Sequence, residues 1–165
     1  MYFTACNASM AERGRIANNT ITGVTGNTGT LYGLYQTASI NNNTVNNVIS
    51  IATTGATSYG SYYTGGGGVN FHNNTIMNAS ATGNANAAAY FTQSSQSEGS
   101  VNVRNNIFTH TGGGNAMYMA NLNFVYSNYN TYYAASAPVF RNTTAITQPT
   151  LPAYYATHTA CLDKL

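Results

Sequence analysis

Few side chains in this chain can carry acid-base or nucleophilic chemistry, and their placement narrows what it can do. The only carboxylates are Glu12, Glu98 and Asp163, in three separate regions. Hydrolysis of a glycosidic bond by paired carboxylates needs two acids flanking that bond. Calcium needs six to eight oxygen ligands, several of them carboxylates. Neither set stands close together here. The one ordered group of chemistry-capable side chains is His72, Arg104 and Tyr126, each directly before an Asn-containing phrase. If those phrases lie on adjacent strands, His72 and Arg104 are about 5 Å apart. They would suit the carboxylate or sulfate of an acidic sugar, with Tyr126 as a stacking ring; the bland reading of the same column is a solvated outer ladder. His110 with Met77, Met117 and Met119 offers imidazole and thioether groups of the kind copper takes. Methionines in an apolar interior are usually filler, so no metal or other cofactor is expected. Gly65-Gly66-Gly67-Gly68 and Gly112-Gly113-Gly114 lack the Lys-Ser/Thr and the following helix of a phosphate loop and read as turns.

The elements that must position these residues are repeats. Phrases ending in tyrosine occur at Leu31-Tyr32-Gly33-Leu34-Tyr35, Ser58-Tyr59-Gly60-Ser61-Tyr62, Asn86-Ala87-Ala88-Ala89-Tyr90 and Gly114-Asn115-Ala116-Met117-Tyr118, so that Tyr35, Tyr62, Tyr90 and Tyr118 are 27, 28 and 28 residues apart. A second phrase, an Asn pair followed two residues later by a large apolar residue, runs in parallel at Asn18-Asn19, Asn46-Asn47, Asn73-Asn74 and Asn105-Asn106, with a looser copy at Ser127-Asn128-Tyr129-Asn130. Self-similarity at this period is the mark of a solenoid. Aligned on Asn19, Asn47, Asn74, Asn106 and Asn128, the residues three earlier are Ile16, Thr44, Phe71, Val103 and Val125, and two later come Ile21, Ile49, Ile76 and Phe108. These read as inward positions on two short strands meeting at an Asn corner. Asparagine suits the corner because its amide bonds local backbone and it tolerates left-handed dihedrals; stacked asparagines can also bond one another along the axis. The small residues Gly33, Gly60, Ala88 and Ala116 mark a crowded position, and alternation alone leaves open whether the tyrosines form an inner stack or an outer ladder.

Helical hairpin repeats would need Leu, Glu, Lys and Ala at 3.6-residue spacing, where this chain has Thr, Asn, Gly, Val and Tyr. The fold expected is therefore all-β, a parallel β-helix of about five coils with short terminal caps. Residues 1–14 are expected to form an N-terminal cap or the remnant of a preceding coil, with Ala8 to Arg13 as the helix-friendly stretch. Residues 15–140 form the repeats, and 141–165 a C-terminal cap or tail. The largest loop excursion is expected at Gln93 to Ser100.

Only 5% of the residues are charged, against roughly 25% in ordinary domains, while 24 are Asn. Aromatics at 12% argue for an ordered chain. Five scattered cations, Arg13, Arg15, Arg104, Arg141 and Lys164, cannot make a phosphate-neutralising stripe, so nucleic acid is set aside. Cys6 and Cys161 lie near opposite ends of a solenoid, too far apart to pair. No apolar run of about 18 residues is present to span a membrane, and Met1 to Asn7 has no signal-peptide core. A piece of a longer exported chain is the expectation.

The phrases Val45-Asn46-Asn47-Val48-Ile49, Tyr32-Gly33-Leu34-Tyr35 and Asn105-Asn106-Ile107-Phe108, with Gly112 to Tyr118 following and Ser127 to Tyr133 as a closing coil, resemble the right-handed parallel β-helix repeats of the pectate-lyase-like superfamily. They are most similar to large secreted surface proteins of Bacteroidetes-type bacteria. The resemblance covers roughly residues 14–140 and implies fold and handedness; one fold hosts many functions. It implies an extracellular or cell-surface setting, a polysaccharide or glycan as partner, and neighbouring β-helix chains or the rest of a parent chain as contacts. Lyases of this shape resemble one another in using clustered acids around calcium, which this chain lacks. The leading expectation is a non-enzymatic structural or adhesive segment that binds glycan, with no catalytic residue assigned. The alternatives are a carbohydrate-active enzyme or its degenerate relative, and an ice-binding solenoid, for which only Thr20-Ile21-Thr22 has the Thr-X-Thr form in the Asn-strand register.

Overall fold

The computed structural model describes residues 1–25, 29–38, 40–54, 57–81, 86–92, 100–120, 125–135, 140–142 and 147–148. A short strand β1 (Tyr2–Thr4) precedes a threefold rhythm. It runs β2 (Gly14–Ala17), β3 (Thr20–Val24), β4 (Leu31–Thr37); β5 (Asn42–Val45), β6 (Val48–Ile51), β7 (Ser58–Thr64); β8 (Val69–His72), β9 (Thr75–Asn78), β10 (Ala87–Thr92); β11 (Val101–Arg104), β12 (Ile107–His110), β13 (Asn115–Met119). The strands β14 (Val125–Asn128), β15 (Thr131–Ala134), β16 (Phe140–Asn142) and β17 (Thr147–Gln148) follow. Every third strand stacks in parallel, giving three walls. The first is a seven-stranded sheet in the order β1-β4-β7-β10-β13-β16-β17, and the others are five-stranded, β14-β11-β8-β5-β2 and β15-β12-β9-β6-β3. The chain is an all-β parallel solenoid, and no helix long and apolar enough to cross a membrane occurs among the described residues.

Three windings, β5 to β7, β8 to β10 and β11 to β13, are paired on both sides in all three walls. The complete solenoid thus amounts to about three turns instead of about five, with β2 to β4 and β14 to β15 as its outer layers. The stretch Ala8 to Arg13 is not helical. It is laid along the following turn, where Ala8 donates its N–H to the Ile40 carbonyl (3.2 Å) and its carbonyl accepts the Asn41 amide (2.9 Å); stacking overrides local propensity. The loop 93–99, with Glu98, and most of the expected cap over 141–165, with Cys161, Asp163 and Lys164, lie outside the described residues.

The core is a set of files running along the axis. Ile16, Thr44, Phe71 and Val103 are paired in register and buried, as are Ile49, Ile76 and Phe108 beside them. Rings extend the second of these files, with Phe108 on Tyr132 at 5.6 Å, and join it to the first, with Phe71 and Phe108 stacked across at 6.2 Å. The two asparagines of each corner divide the work. The first, Asn18, Asn46, Asn73 or Asn105, takes φ between 54° and 60°, a left-handed turn that Asn enters more readily than other side chains. The second turns inward: the backbone N–H and Nδ2 of Asn47 both donate to Oδ1 of Asn74 (3.0 and 2.9 Å), and Asn74 does the same to Asn106 (2.9 and 3.0 Å). The remaining amide hydrogen reaches back one coil, from Asn47 to the Ile16 carbonyl (3.0 Å), from Asn74 to Thr44 (2.9 Å) and from Asn106 to Phe71 (2.8 Å).

The last copy of the corner is corrected by two residues. Asn130, not Asn128, accepts from Asn106 (2.9 and 2.8 Å), and Tyr129 at φ 59° occupies the left-handed position. Ser127, not Val125, stands opposite Val103. Only the second corner residue must be an amide, so the ladder selects the Asn that is followed two residues later by a large core side chain, here Tyr132.

Removing one rung tests the ladder. Asn74→Ala deletes both bonds that Oδ1 accepts from Asn47 and both that Nδ2 donates, to Thr44 and Asn106, and keeps only the backbone N–H bond to Asn106; buried groups left without partners cost roughly 1–3 kcal/mol each. A loss of roughly 3 kcal/mol or more is expected from urea unfolding midpoints. Asn70→Ala, which loses one outward-facing bond to Asn43 (2.8 Å), should cost under about 1 kcal/mol. Equal losses for the two variants would remove the ladder from its structural role.

Candidate functional site: the tyrosine wall and the His72–Arg104 pair

The tyrosine file faces outward. In β4 and β7 the residues alternate except at one point, where Gly33 and Leu34, or Gly60 and Ser61, are consecutively buried. This break of phase brings Tyr32 and Tyr35 to the same side, as it does Tyr59 and Tyr62. Residues three apart on a straight strand have Cα atoms about 10 Å apart, yet the rings of Tyr32 and Tyr35 meet edge to face at 4.8 Å and those of Tyr59 and Tyr62 at 5.0 Å. The two rings of each strand therefore lean toward each other on the outer face. The break of phase falls at glycines: a Cβ on Gly60 would lie 2.3 Å from Ile76 Cγ2 and 2.6 Å from the Ala88 carbonyl oxygen, so this position is tighter than a methyl permits.

Along the axis Tyr2, Tyr35, Tyr62, Tyr90 and Tyr118 form one continuous stack, with centroids 4.8, 5.1, 4.7 and 4.4 Å apart and planes within 15°. A second file, Tyr32 on Tyr59 at 5.6 Å, leans against it and ends on Tyr90 at 4.9 Å, where Ala87 takes the register position opposite Tyr59. Seven tyrosines thus make one surface. Their faces cover one another, so the wall offers ring edges and phenol hydroxyls. Burial, then the neighbouring phenols, push the hydroxyls of Tyr62 and Tyr90 up to about 12, so they remain protonated hydrogen-bond donors at any physiological pH. Tyr35, Tyr62, Tyr90 and Tyr118 are placed side by side as their spacing predicts. The contributions of Tyr2, Tyr32 and Tyr59 are not evident from a count of the period; for Tyr32 and Tyr59 the signal was the Tyr-Gly-X-Tyr spacing, with a glycine where the phase breaks.

On the outer face of the second wall, His72 and Arg104 are register partners. Tyr126 is opposite Asn102 instead of Arg104, and the residue next to Arg104 is Asn128, which follows from the corrected corner. The adjoining file is amide-rich, with Asn43, Asn70 and Asn102 in register. Burial, then the adjacent guanidinium, lower the His72 pKa, while the Asn102 side chain opposes them. The imidazole is neutral near pH 7 and would gain its proton when an anion settles beside it. The third wall's outer file reads Thr20, Val48, Thr75, Ile107, Thr131, alternating hydroxyl with exposed aliphatic side chains.

His110 does not join Met77: the imidazole is fully buried and Met77 is 40% exposed on the outside. Nδ1 of His110 accepts the N–H groups of Gly114 (3.0 Å) and Gly112 (3.3 Å), which fixes the neutral tautomer with its proton on Nε2, and burial lowers its pKa to about 4. The unfolded chain protonates a histidine near 6.5. Stability from this site is therefore complete above about pH 6.5 and is lost as pH falls toward 4, by roughly 3 kcal/mol in the limit. With three carboxylates in the whole chain, histidine dominates this window. Urea midpoints measured from pH 7 to 4.5 should fall steeply for the native chain and much less for His110→Asn, which adopts the residue found at Asn78 one winding below. The slope that remains belongs to His72, whose shift has the same sign. An unchanged slope in His110→Asn would refute the assignment.

Comparison with protein-family models, with curated proteins and with solved structures finds no match to this chain.

Proposed function

We propose that this solenoid is a non-enzymatic structural or adhesive segment of a secreted or cell-surface protein, and that its tyrosine wall is the contact surface for a hydroxyl-rich polysaccharide. The observation that carries the reading is the seven-tyrosine surface on β1, β4, β7, β10 and β13, continuous along the axis. Phenol rings stacked every 4.4 to 5.1 Å carry a row of hydroxyl donors and acceptors with few rotamers to freeze, which is why tyrosine suits adhesive surfaces. A polymer lying along the axis can engage several equivalent groups, and weak contacts then add by multivalency. On the neighbouring wall, His72 and Arg104 suit the carboxylate or sulfate of an acidic sugar. The likeness of the repeat phrases to pectate-lyase-like β-helices supports the same setting. A carbohydrate-active relative is the second reading, favoured by the contact of His72 with Arg104; it is separated by incubation with alginate, pectin and glycosaminoglycans, where new absorbance from unsaturated ends would mark cleavage.

The test uses immobilised polysaccharides, neutral and acidic. Retention of the native chain is expected on at least one. Tyr62→Phe combined with Tyr90→Phe keeps the stacked rings and removes two hydroxyls; at about 1 kcal/mol per hydrogen bond, it should weaken retention about tenfold or more with an unchanged circular dichroism spectrum. No retention on any polymer, or undiminished retention in the double variant, would defeat the proposal.

A further inference from the structure

Tyr59 holds a different place from the other rings of the wall. Its register partner on the preceding winding is Tyr32, stacked on it at 5.6 Å with planes 24° apart. On the following winding the partner is Ala87, which carries no ring. Tyr59 meets Tyr90 of the other file instead, with centroids 4.9 Å apart and planes 55° apart. Tyr90 itself lies nearly flat between Tyr62 (4.7 Å, 6°) and Tyr118 (4.4 Å, 15°). Among the described contacts of the wall, Tyr59 with Tyr90 is the one pair on different windings that is neither parallel nor edge to face.

The chain has 14 tyrosines and no tryptophan, so a one-electron oxidant acting on an aromatic side chain draws its electron from a phenol. Rings in contact at 4.4 to 5.6 Å can pass the vacancy from one to the next. Two phenoxyl radicals raised on one wall are already neighbours, and their coupling needs no encounter between molecules. Coupling joins the ring carbons beside the two oxygens and leaves the rings twisted about the new bond. Face-to-face rings must unstack to reach that arrangement, and edge-to-face rings must turn until two edges meet. The tilted pair is the nearest to it.

We propose that Tyr59 and Tyr90 are an oxidative cross-linking site, at which a peroxide-driven one-electron oxidant joins two windings of the solenoid through a dityrosine bond. Each phenol gives one electron and its hydroxyl proton to the oxidant, and one peroxide is reduced to two waters. The two ring carbons form the C–C bond. The hydrogens they carried leave as protons and return to the two oxygens, so both phenols are restored. The bond closes the stretch of chain between residues 59 and 90 and braces β7 against β10, restricting the unfolded chain as a cross-link does. The site goes beyond polysaccharide contact and rests on ring geometry alone, so it stands whether or not the wall binds a polymer.

The competing expectation is that exposure alone governs the reaction. Tyr129 and Tyr133, 64% and 53% exposed, would then react first and join separate molecules. To decide, the full 165-residue chain with its thiols alkylated is treated at low concentration with a haem peroxidase and hydrogen peroxide. Dityrosine fluorescence is expected in a species that remains a monomer on a denaturing gel, with an intact mass lower by two hydrogen atoms. Peptic fragments containing Tyr59 and Tyr90 should be recovered linked. Tyr59→Phe and Tyr90→Phe keep the rings but cannot form a phenoxyl there; each should lose most of the monomer fluorescence while retaining the native circular dichroism spectrum. Tyr129→Phe combined with Tyr133→Phe should leave it unchanged. Absence of dityrosine, dityrosine confined to covalent oligomers, a link mapped to another pair, or an undiminished monomer signal in Tyr59→Phe would overturn the proposal.

Discussion

Burying an amide at the corner of every winding constrains the molecule more tightly than its apolar core does. A core of Ile, Val and Phe tolerates sliding, because dispersion has no direction. The corner asparagines do not: each sends two donors to a single oxygen on the winding above and one to a carbonyl on the winding below, and a slip of one residue would leave all of them buried without partners. Register in all three walls follows from this one file. The left-handed residue before it, Asn or once Tyr, fixes the angle between the second and third walls.

The same stacking accounts for the low charge. In a solenoid each side chain has its equivalent about 4.8 Å above and below, so a charged residue repeated with the motif would face its own sign at contact distance. Neutral groups that bind their own kind, amides and phenols, avoid that conflict. The one place among the described residues where two basic side chains are register partners, His72 beside Arg104, shows the consequence: the guanidinium helps to keep the imidazole neutral.

Repeat length, strand class and the corner ladder were legible in the sequence because they depend on spacing. Asn19, Asn47, Asn74 and Asn106 could be aligned by counting, and so could Tyr35, Tyr62, Tyr90 and Tyr118. The final corner misled the count, since Ser127-Asn128-Tyr129-Asn130 contains two asparagines and only the inward one belongs to the ladder; the misplacement carried Tyr126 with it. Whether the tyrosines faced in or out was not legible. Strict alternation is broken at Gly33-Leu34 and Gly60-Ser61, and a phase break depends on what the glycine lies against, here Ile49 and Ile76, which belong to another wall.

Stacking also decides what kind of surface the tyrosines make. Rings separated by one strand spacing and nearly parallel use their faces on each other, so the π-surface that would grip a single sugar is available only at the ends of the file. What remains along the wall is a row of hydroxyls and positively polarised ring edges, weak singly and uniform in step. Such a row discriminates poorly among small ligands and favours extended ones, since affinity rises with the number of steps engaged. The geometry that makes the wall rigid is therefore the geometry that makes it suited to polymers, and both come from the register the corner asparagines impose.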